Sequence, residues 1–285
     1  MNLHLRHLPR LILQRRLTAI FGVLVILALW ASVVFKYAQD KRSDRDEAQR
    51  ASQSFAIVFA ENVLRTVAEI DSLLLFLRYG VETRGDATDY DAILRAIEMP
   101  EERIGPVSII DRQGVVRAST AGQQPSAAIG LSHRRQASAA PDGQADRLSI
   151  SKPTIGRDGG QSWVQFSRRF LNADGTFGGV VVASLDPDRF TKFADEFALP
   201  PSGAIVVIGA DGVVRAAGGR LGELMPGQDI RGSELFARMQ RGVEGTFEQT
   251  NPSTGAGRLV ALRKVRGQPL WVSVSLDDSD VLAGS

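Results

Sequence analysis

Ile109-Ile110-Asp111-Arg112-Gln113-Gly114-Val115-Val116-Arg117-Ala118 and Val207-Ile208-Gly209-Ala210-Asp211-Gly212-Val213-Val214-Arg215-Ala216 decide the reading of this chain. Each is an apolar run, a polar turn closed by glycine and a second apolar run, the pattern of a β-hairpin. Gly-Val-Val-Arg-Ala alone would recur by chance, but the two copies also close alike. Val182-Ala183-Ser184-Leu185-Asp186 ends the first and Val274-Ser275-Leu276-Asp277 the second. Between opening and closing lie further strand-like runs: Trp163 to Arg169 and Gly178 to Leu185, then Gly245 to Gln249, Arg258 to Val265 and Leu270 to Leu276. The sequence therefore predicts an α+β fold with two tandem antiparallel sheets, each in a module of about 90 residues.

The modules join at Asp186-Pro187-Asp188-Arg189-Phe190-Thr191-Lys192-Phe193. Asp186 suits a helix N-cap and Pro187 the first helical position, so a short helix is expected there. Leu199-Pro200-Pro201-Ser202-Gly203 then breaks the chain before the next strand.

Working back toward the N-terminus, the grammar becomes helical. Tyr37 to about Arg78 contains no proline or glycine. Apolar residues recur at Ala51, Phe55, Phe59, Val63, Val67, Ile70, Leu74 and Leu77, steps of three and four that mark one helix face. About 40 helical residues reach roughly 60 Å, long enough for a stalk. Such a helix either packs along its own domain or pairs with a second copy, and a homodimer through the stalk is expected. Before it, Leu17–Phe35 is an uncharged run of 19 residues. As a helix it spans about 28 Å, close to a hydrocarbon core of roughly 30 Å. A signal peptide would be shorter and end in small residues, whereas Trp30, Val33, Val34 and Phe35 fill this end. Arg6, Arg10, Arg15 and Arg16 precede the run with no acidic residue, while Lys36, Lys41, Arg42 and Arg45 beyond it are offset by Asp40, Asp44, Asp46 and Glu47. The positive-inside rule then places residues 1–16 in the cytoplasm and everything after about residue 38 outside.

Composition closes off several chemistries. There are 34 Lys+Arg against 32 Asp+Glu, so a formal charge of +2 gives no whole-chain reason to expect a nucleic-acid partner. Cysteine is absent, which removes disulfides, thiolate nucleophiles and Cys-ligated metal. Of three histidines, His4 and His7 precede the membrane run, and His133 alone builds neither a metal site nor a triad. Asn172-Ala173-Asp174-Gly175 and Ala210-Asp211-Gly212 lack the downstream glutamate of a calcium loop and read as hairpin turns. No catalytic constellation, cofactor motif or metal site is expected.

The ordered stretches Ile150-Ser151-Lys152-Pro153, Trp163-Val164-Gln165-Phe166-Ser167-Arg168-Arg169, Asp174-Gly175-Thr176-Phe177-Gly178-Gly179-Val180-Val181-Val182 and Gln268-Pro269-Leu270-Trp271-Val272-Ser273-Val274 resemble those of the double Cache, or PDC-type, sensor domains. Members stand at the front of membrane diguanylate cyclases and histidine kinases. The resemblance covers roughly residues 40 to 282. It implies residues 17–37 as a transmembrane helix, 38–99 as stalk and connection, 100–197 as a membrane-distal PAS-like module and 198–285 as a membrane-proximal one. It also implies a bacterial inner-membrane location, a small-molecule ligand, anionic if the candidate arginines hold it, and a cytoplasmic output. Two departures stand out. The cyclase and kinase signatures are missing from this chain, and Ser184 occupies the position where amine-sensing members carry Asp.

A PAS-like sheet binds on one face under a covering loop, which directs attention to the first module. Trp163, Gln165 and Ser167 alternate on one strand and so share a face. Trp163 would stack a ligand and Gln165 would hydrogen-bond it, or the Trp is simply core. Arg134, in the long loop from Thr120 to Leu148, would hold a carboxylate if the loop folds over the sheet; otherwise it is solvated. Arg117, beside the hairpin turn, is a weaker candidate. A membrane-anchored protein-interaction module without a small-molecule ligand is the rival reading.

Overall fold

The computed structural model describes residues 8–84, 89–96, 104–121, 147–155, 162–196, 203–219, 224–250, 255 and 257–277. Helix α1, Leu8–Arg84, runs unbroken for 77 residues, about 115 Å at 1.5 Å per residue. Its buried stripe is Ala56, Phe59, Val63, Val67, Ile70, Leu74, Leu77 and Val81. At its start this stripe sits one residue round from the expected one: Ser52 and Ala56 are buried where Ala51 and Phe55 are only half-buried. A short α2, Tyr90–Arg95, follows, capped by Asp89 whose Oδ1 accepts the Ala92 N–H at 3.0 Å.

The first sheet holds β1 (Val107–Asp111), β2 (Val116–Ser119), β3 (Ser149–Ile150), β4 (Thr154–Ile155), β5 (Ser162–Leu171) and β6 (Phe177–Leu185), ordered β2-β1-β6-β5-β3 with β4 also on β5. Helix α3, Pro187–Glu196, starts at the expected proline; the Asp186 Oδ1 accepts the Asp188 N–H at 3.0 Å. The second sheet holds β7 (Ala204–Gly209), β8 (Val214–Gly219), β9 (Gly245–Thr250), β10 (Gly257–Lys264) and β11 (Leu270–Asp277), with α4 (Glu234–Gln240) between β8 and β9. Its order, β8-β7-β11-β10-β9, repeats the first. Both hairpins carry a register shift at the same place, between Ile109 and Ile110 and between Val207 and Ile208. Both turns close on a glycine in the left-handed region, Gly114 (φ 84°) and Gly212 (φ 76°), which is why the two copies share that residue.

One apolar core joins all of this. The α1 stripe packs on Val107, Ile109, Val164, Phe166, Val181 and Ala183 of the first sheet and on Ile205, Val207, Ala261, Val272 and Val274 of the second. Phe190 of α3 enters the same core beside Phe166, ring centroids 6.3 Å apart. The stalk is thus the shared inner layer of both sheets from about residue 52 onward. Of the run 17–37, side chains are described only at Leu27, Leu29 to Val33, Phe35 and Lys36; Leu27, Leu29, Trp30, Val33 and Phe35 are exposed. Among the described residues no helix is long and apolar enough to cross a membrane.

Candidate functional site

Strand β5 has two faces with different jobs. Val164, Phe166 and Phe170 enter the core under α1. Arg168, of the same parity, reaches Asp71 of α1 through Nε (2.5 Å) and Nη2 (2.9 Å), a two-pronged pair. The Leu171 N–H donates to Glu82 of α1 at 3.0 Å. Trp163, Gln165, Ser167 and Arg169 therefore point away from the helix.

Register extends that outward face across the sheet. Gln165 lies opposite Ser184, Ser167 opposite Val182 and Arg169 opposite Val180. Val182 is in turn opposite Ser108 and Val180 opposite Ile110. Ser149 of β3 lies opposite Ser167, and the Ser108 hydroxyl donates to that of Ser119 at 3.0 Å. The face is a band of serines and an amide, bounded at one end by the small apolar cluster of Ile110, Val180 and Val182 with Val116 and Phe177. Gln165 and Ser167 are each 3% exposed and Ser184 8%.

The expected site residues divide. Gln165 and Ser167 sit at the middle of this face. Trp163 lies at its edge with the indole against the backbone of residue 105: a Cβ there would fall 2.3 Å from Trp163 Cζ3, so Gly105 makes room for the ring. Arg117 is engaged elsewhere, its Nε donating to Asp111 Oδ2 at 2.7 Å with the side chain half-exposed. Arg134 lies outside the described residues. Arg169 is the residue of the face that the sequence reading did not reach, while Ser184 is the position where it finds Ser in place of the Asp of amine-sensing members. Continuing the alternation from Trp163 by one more step would have reached Arg169.

The turns bordering the face are electrostatically settled. Asp111 Oδ1 accepts the N–H groups of Gln113 and Val115, each at 2.9 Å. The hydroxyl and N–H of Thr176 hold the Asp174 carboxyl below the ordinary carboxylate value. A second concavity, a cleft of about 510 Å³ between α1 and β10, is lined by Ile57, Leu64, Lys264 and Arg266, with Arg263 Nη1 on Glu244 Oε2 at 3.2 Å.

The outward face of the second sheet is built differently. Val206, Ile208, Val214, Val260, Leu262 and Trp271 pack there against Ile230 and against Leu235 and Met239 of α4. Its polar members are the buried Ser273 and Ser275 and the pair in which Arg258 Nε donates to Asp277 Oδ1 at 2.9 Å.

No protein-family profile and no curated protein matches the sequence. Solved structures do. The extracellular domain assigned to the histidine kinase rpHK1S-Z16 is 25% identical over 84% of this chain and 98% of that one, with a TM-score of 0.72. The fold is that of the double Cache sensory domains. The ligand-binding domain of the Pseudomonas aeruginosa PAO1 amino-acid chemoreceptor PctC, in complex with GABA, aligns at 17% identity and TM-score 0.59 over 81% of this chain and all of that one. That of the Pseudomonas fluorescens chemoreceptor CtaA, with L-isoleucine, aligns at 13% and 0.62 over 86% and 99%. These neighbours are sensory domains rather than enzymes.

Proposed function

We propose that this chain is the extracytoplasmic ligand-sensing region of a bacterial inner-membrane signalling protein. Residues 17–37 cross the membrane, residues 1–16 stay in the cytoplasm, and a small molecule binds the outward face of the first module, residues 100–197. Residues 198–285 form the membrane-proximal module, and the output is a cyclase or kinase reached through membrane helices. The observation that carries this reading is the contrast between two sheets of one topology: both outward faces hold buried serines, but a large apolar cluster that includes Leu235 and Met239 of α4 covers the second, while only the small cluster of Ile110, Val180 and Val182 stands on the first.

Strand β5 supplies the route inward. Its odd residues line the face and its even residues grip α1, with the Arg168–Asp71 pair as the firmest link. A ligand that fits one position of β5 better than another shifts α1 by the difference in its affinity for the two. On the opposite side of α1, Val58, Leu75, Phe76 and Tyr79 are exposed, and the proposed homodimer forms through them. Arg134 belongs to this proposal as a second contact from the loop.

Thermal unfolding of the full chain against carboxylates, amines, sugars and nucleotides tests it. At least one compound should raise the midpoint in a concentration-dependent way, by the mass action of binding to the folded state alone. Ser167→Trp, which fills the face, should abolish the shift without unfolding the protein. A flat response across all classes, from folded protein, sinks the receptor reading and turns the search to protein partners.

A further inference from the structure

The two modules carry an arginine at the same place on the helix side of their sheets. The closing strands β6 and β11 match by Ser184-Leu185-Asp186 and Ser275-Leu276-Asp277, which sets Val181 against Val272. Arg168 of β5 lies opposite Val181, and Arg263 of β10 lies opposite Val272. Phe166 and Phe170 flank Arg168 in the core as Ala261 and Val265 flank Arg263, so both arginines face α1. Their partners differ. Arg168 grips a carboxylate of α1, Asp71, through two donors. Arg263 has no such pair with α1 among the described residues. Its Nη1 turns aside to Glu244, just before β9, at 3.2 Å, and its Nε has no acceptor. Where a helix carboxylate stands in the first module, the second has the cleft of about 510 Å³ between α1 and β10.

The lining defines what fits there. Ile57, Ala60 and Leu64 of α1 make one wall apolar, and Ile57 is 41% exposed. Arg263, Lys264 and Arg266 make the other cationic. Of the two carboxylates at the cleft, Glu61 and Glu244, the second is already taken by Arg263. Three cations against two carboxylates favour a single negative charge over a multiply charged phosphate. An anion without an apolar body would leave the α1 wall in water, and a neutral apolar molecule would leave the Arg263 donor unmet. The volume lies within the roughly 300–1,000 Å³ of small-molecule sites.

We propose that this cleft is a ligand site of the second module and that it takes an amphipathic monoanion, its charge on Arg263 and its alkyl or aryl body along Ile57 and Leu64. The bound anion supplies the bridge from sheet to α1 that Asp71 supplies in the first module. The site lies on the helix side of its sheet, away from both outward faces, and does not depend on what the first module binds.

Calorimetric titration of the full chain compares hexanoate, octanoate and octanesulfonate with acetate, inorganic phosphate and octyltrimethylammonium. The octyl anions should bind, and octanoate should exceed hexanoate by about fourfold or more, the scale for two methylenes laid on a half-open apolar wall. Ile57→Glu changes an exposed side chain, sets a negative charge in the cleft and should weaken octanoate by about tenfold, as should Arg263→Gln. Should Arg263→Gln fail to fold, the double variant Lys264→Gln with Arg266→Gln, both at exposed positions, takes its place. Hydrogen exchange gives a second reading: octanoate should slow the amides of residues 57–64 in the unaltered chain and leave them unchanged in Ile57→Glu. Octanoate binding that survives Ile57→Glu within about twofold lies elsewhere on the chain and overturns the site. Acetate or phosphate binding as tightly as octanoate, or the ammonium binding more tightly, overturns the ligand class. No binding by any of the six probes overturns both and leaves the reading of the first module standing.

Discussion

Two sheets of the same strand order, sharing one helix as their inner layer, have outward faces that differ in the size of the apolar cluster that covers them. The second is sealed: Trp271, Leu262 and Ile208 interlock with Leu235 and Met239 of α4. The first presents Gln165, Ser167, Ser184 and an arginine without a carboxylate. Duplication of a module fixes the hairpin, the register shift and the helix-facing side chains, because these hold the sheet on α1. It leaves the other side free to diverge. The difference can be read strand by strand. At matched positions in the two closing strands, Val180, Val182 and Ser184 of β6 stand where β11 has Trp271, Ser273 and Ser275. At those three positions only the first differs greatly in size, a valine against the tryptophan that packs with α4.

The largest effect should come from attacking the filled face. Trp271→Ala removes a 4% exposed indole from the second cluster and should cost about 3–5 kcal/mol, read by chemical denaturation. Ser167→Ala, equally buried on the first face, should change stability by less than about 1 kcal/mol, since it removes one hydroxyl and leaves no large cavity. Similar losses from both would break the contrast, showing the first face to be core as well. Next in size is the link between the faces and the stalk. Arg168→Ala leaves Asp71 without its partner at 10% and 23% side-chain exposure and should cost about 3 kcal/mol. The double variant with Asp71→Ala should cost less than the sum of the two singles, the mark of a direct coupling.

How much of this the chain displayed in advance depends on locality. The hairpins, the five longer strands and the Pro187 start of α3 were legible because alternation, glycine turns and a proline act over a few residues. The α1 stripe was legible for the same reason, but its start was one residue out, since which of Ala51 and Ser52 is buried is settled by the sheet it meets. The two-residue strands β3 and β4 and the helices α2 and α4 carry too little periodicity to show. At the candidate site, Gln165 and Ser167 followed from alternation on β5. Arg117 pairs with Asp111, six residues back across a turn whose geometry a linear reading does not supply. Arg169 was within reach of the same alternation, yet nothing in its surroundings by sequence tells it apart from Arg168. Only the placement of α1 gives Asp71 to one and leaves the other without.

Acid should sharpen the comparison from the second module's side. Burial alone would raise the Asp211 carboxyl, but the hydrogen bond and charge of Arg215, the Val213 N–H and Lys152 more than reverse it and hold it below its ordinary 3.8. The hydrogen bonds of Arg231 take Asp229 down to about 2. A carboxyl held lower in the folded state than in the unfolded chain stabilises the fold above the unfolded value, and loses that contribution as pH falls through the folded one. The thermal midpoint should therefore decline from about pH 4 toward pH 2, and Asp211→Asn should flatten part of the decline. A midpoint as steep in Asp211→Asn as in the unaltered chain would remove Asp211 from the account.

The smallest effect separates the two copies of one residue. Arg117 and Arg215 hold equivalent positions after their turns, and each pairs with an aspartate of its own hairpin, at 2.7 and 3.0 Å. Their surroundings differ: the Arg117 side chain is 54% exposed and that of Arg215 only 6%. Distance alone would rank Arg117 the stronger. Solvent reverses the order, because an exposed pair exchanges water contacts of nearly equal worth, while a buried one that loses its arginine leaves Asp211 and the Val213 carbonyl short of a donor. Arg117→Ala should then cost at most about 1 kcal/mol and Arg215→Ala roughly 2 kcal/mol, measured side by side by denaturant unfolding. Equal costs would mean that the first hairpin depends on its turn pair as much as the second does, and that the divergence between the modules begins beyond the hairpins, at the outward faces alone.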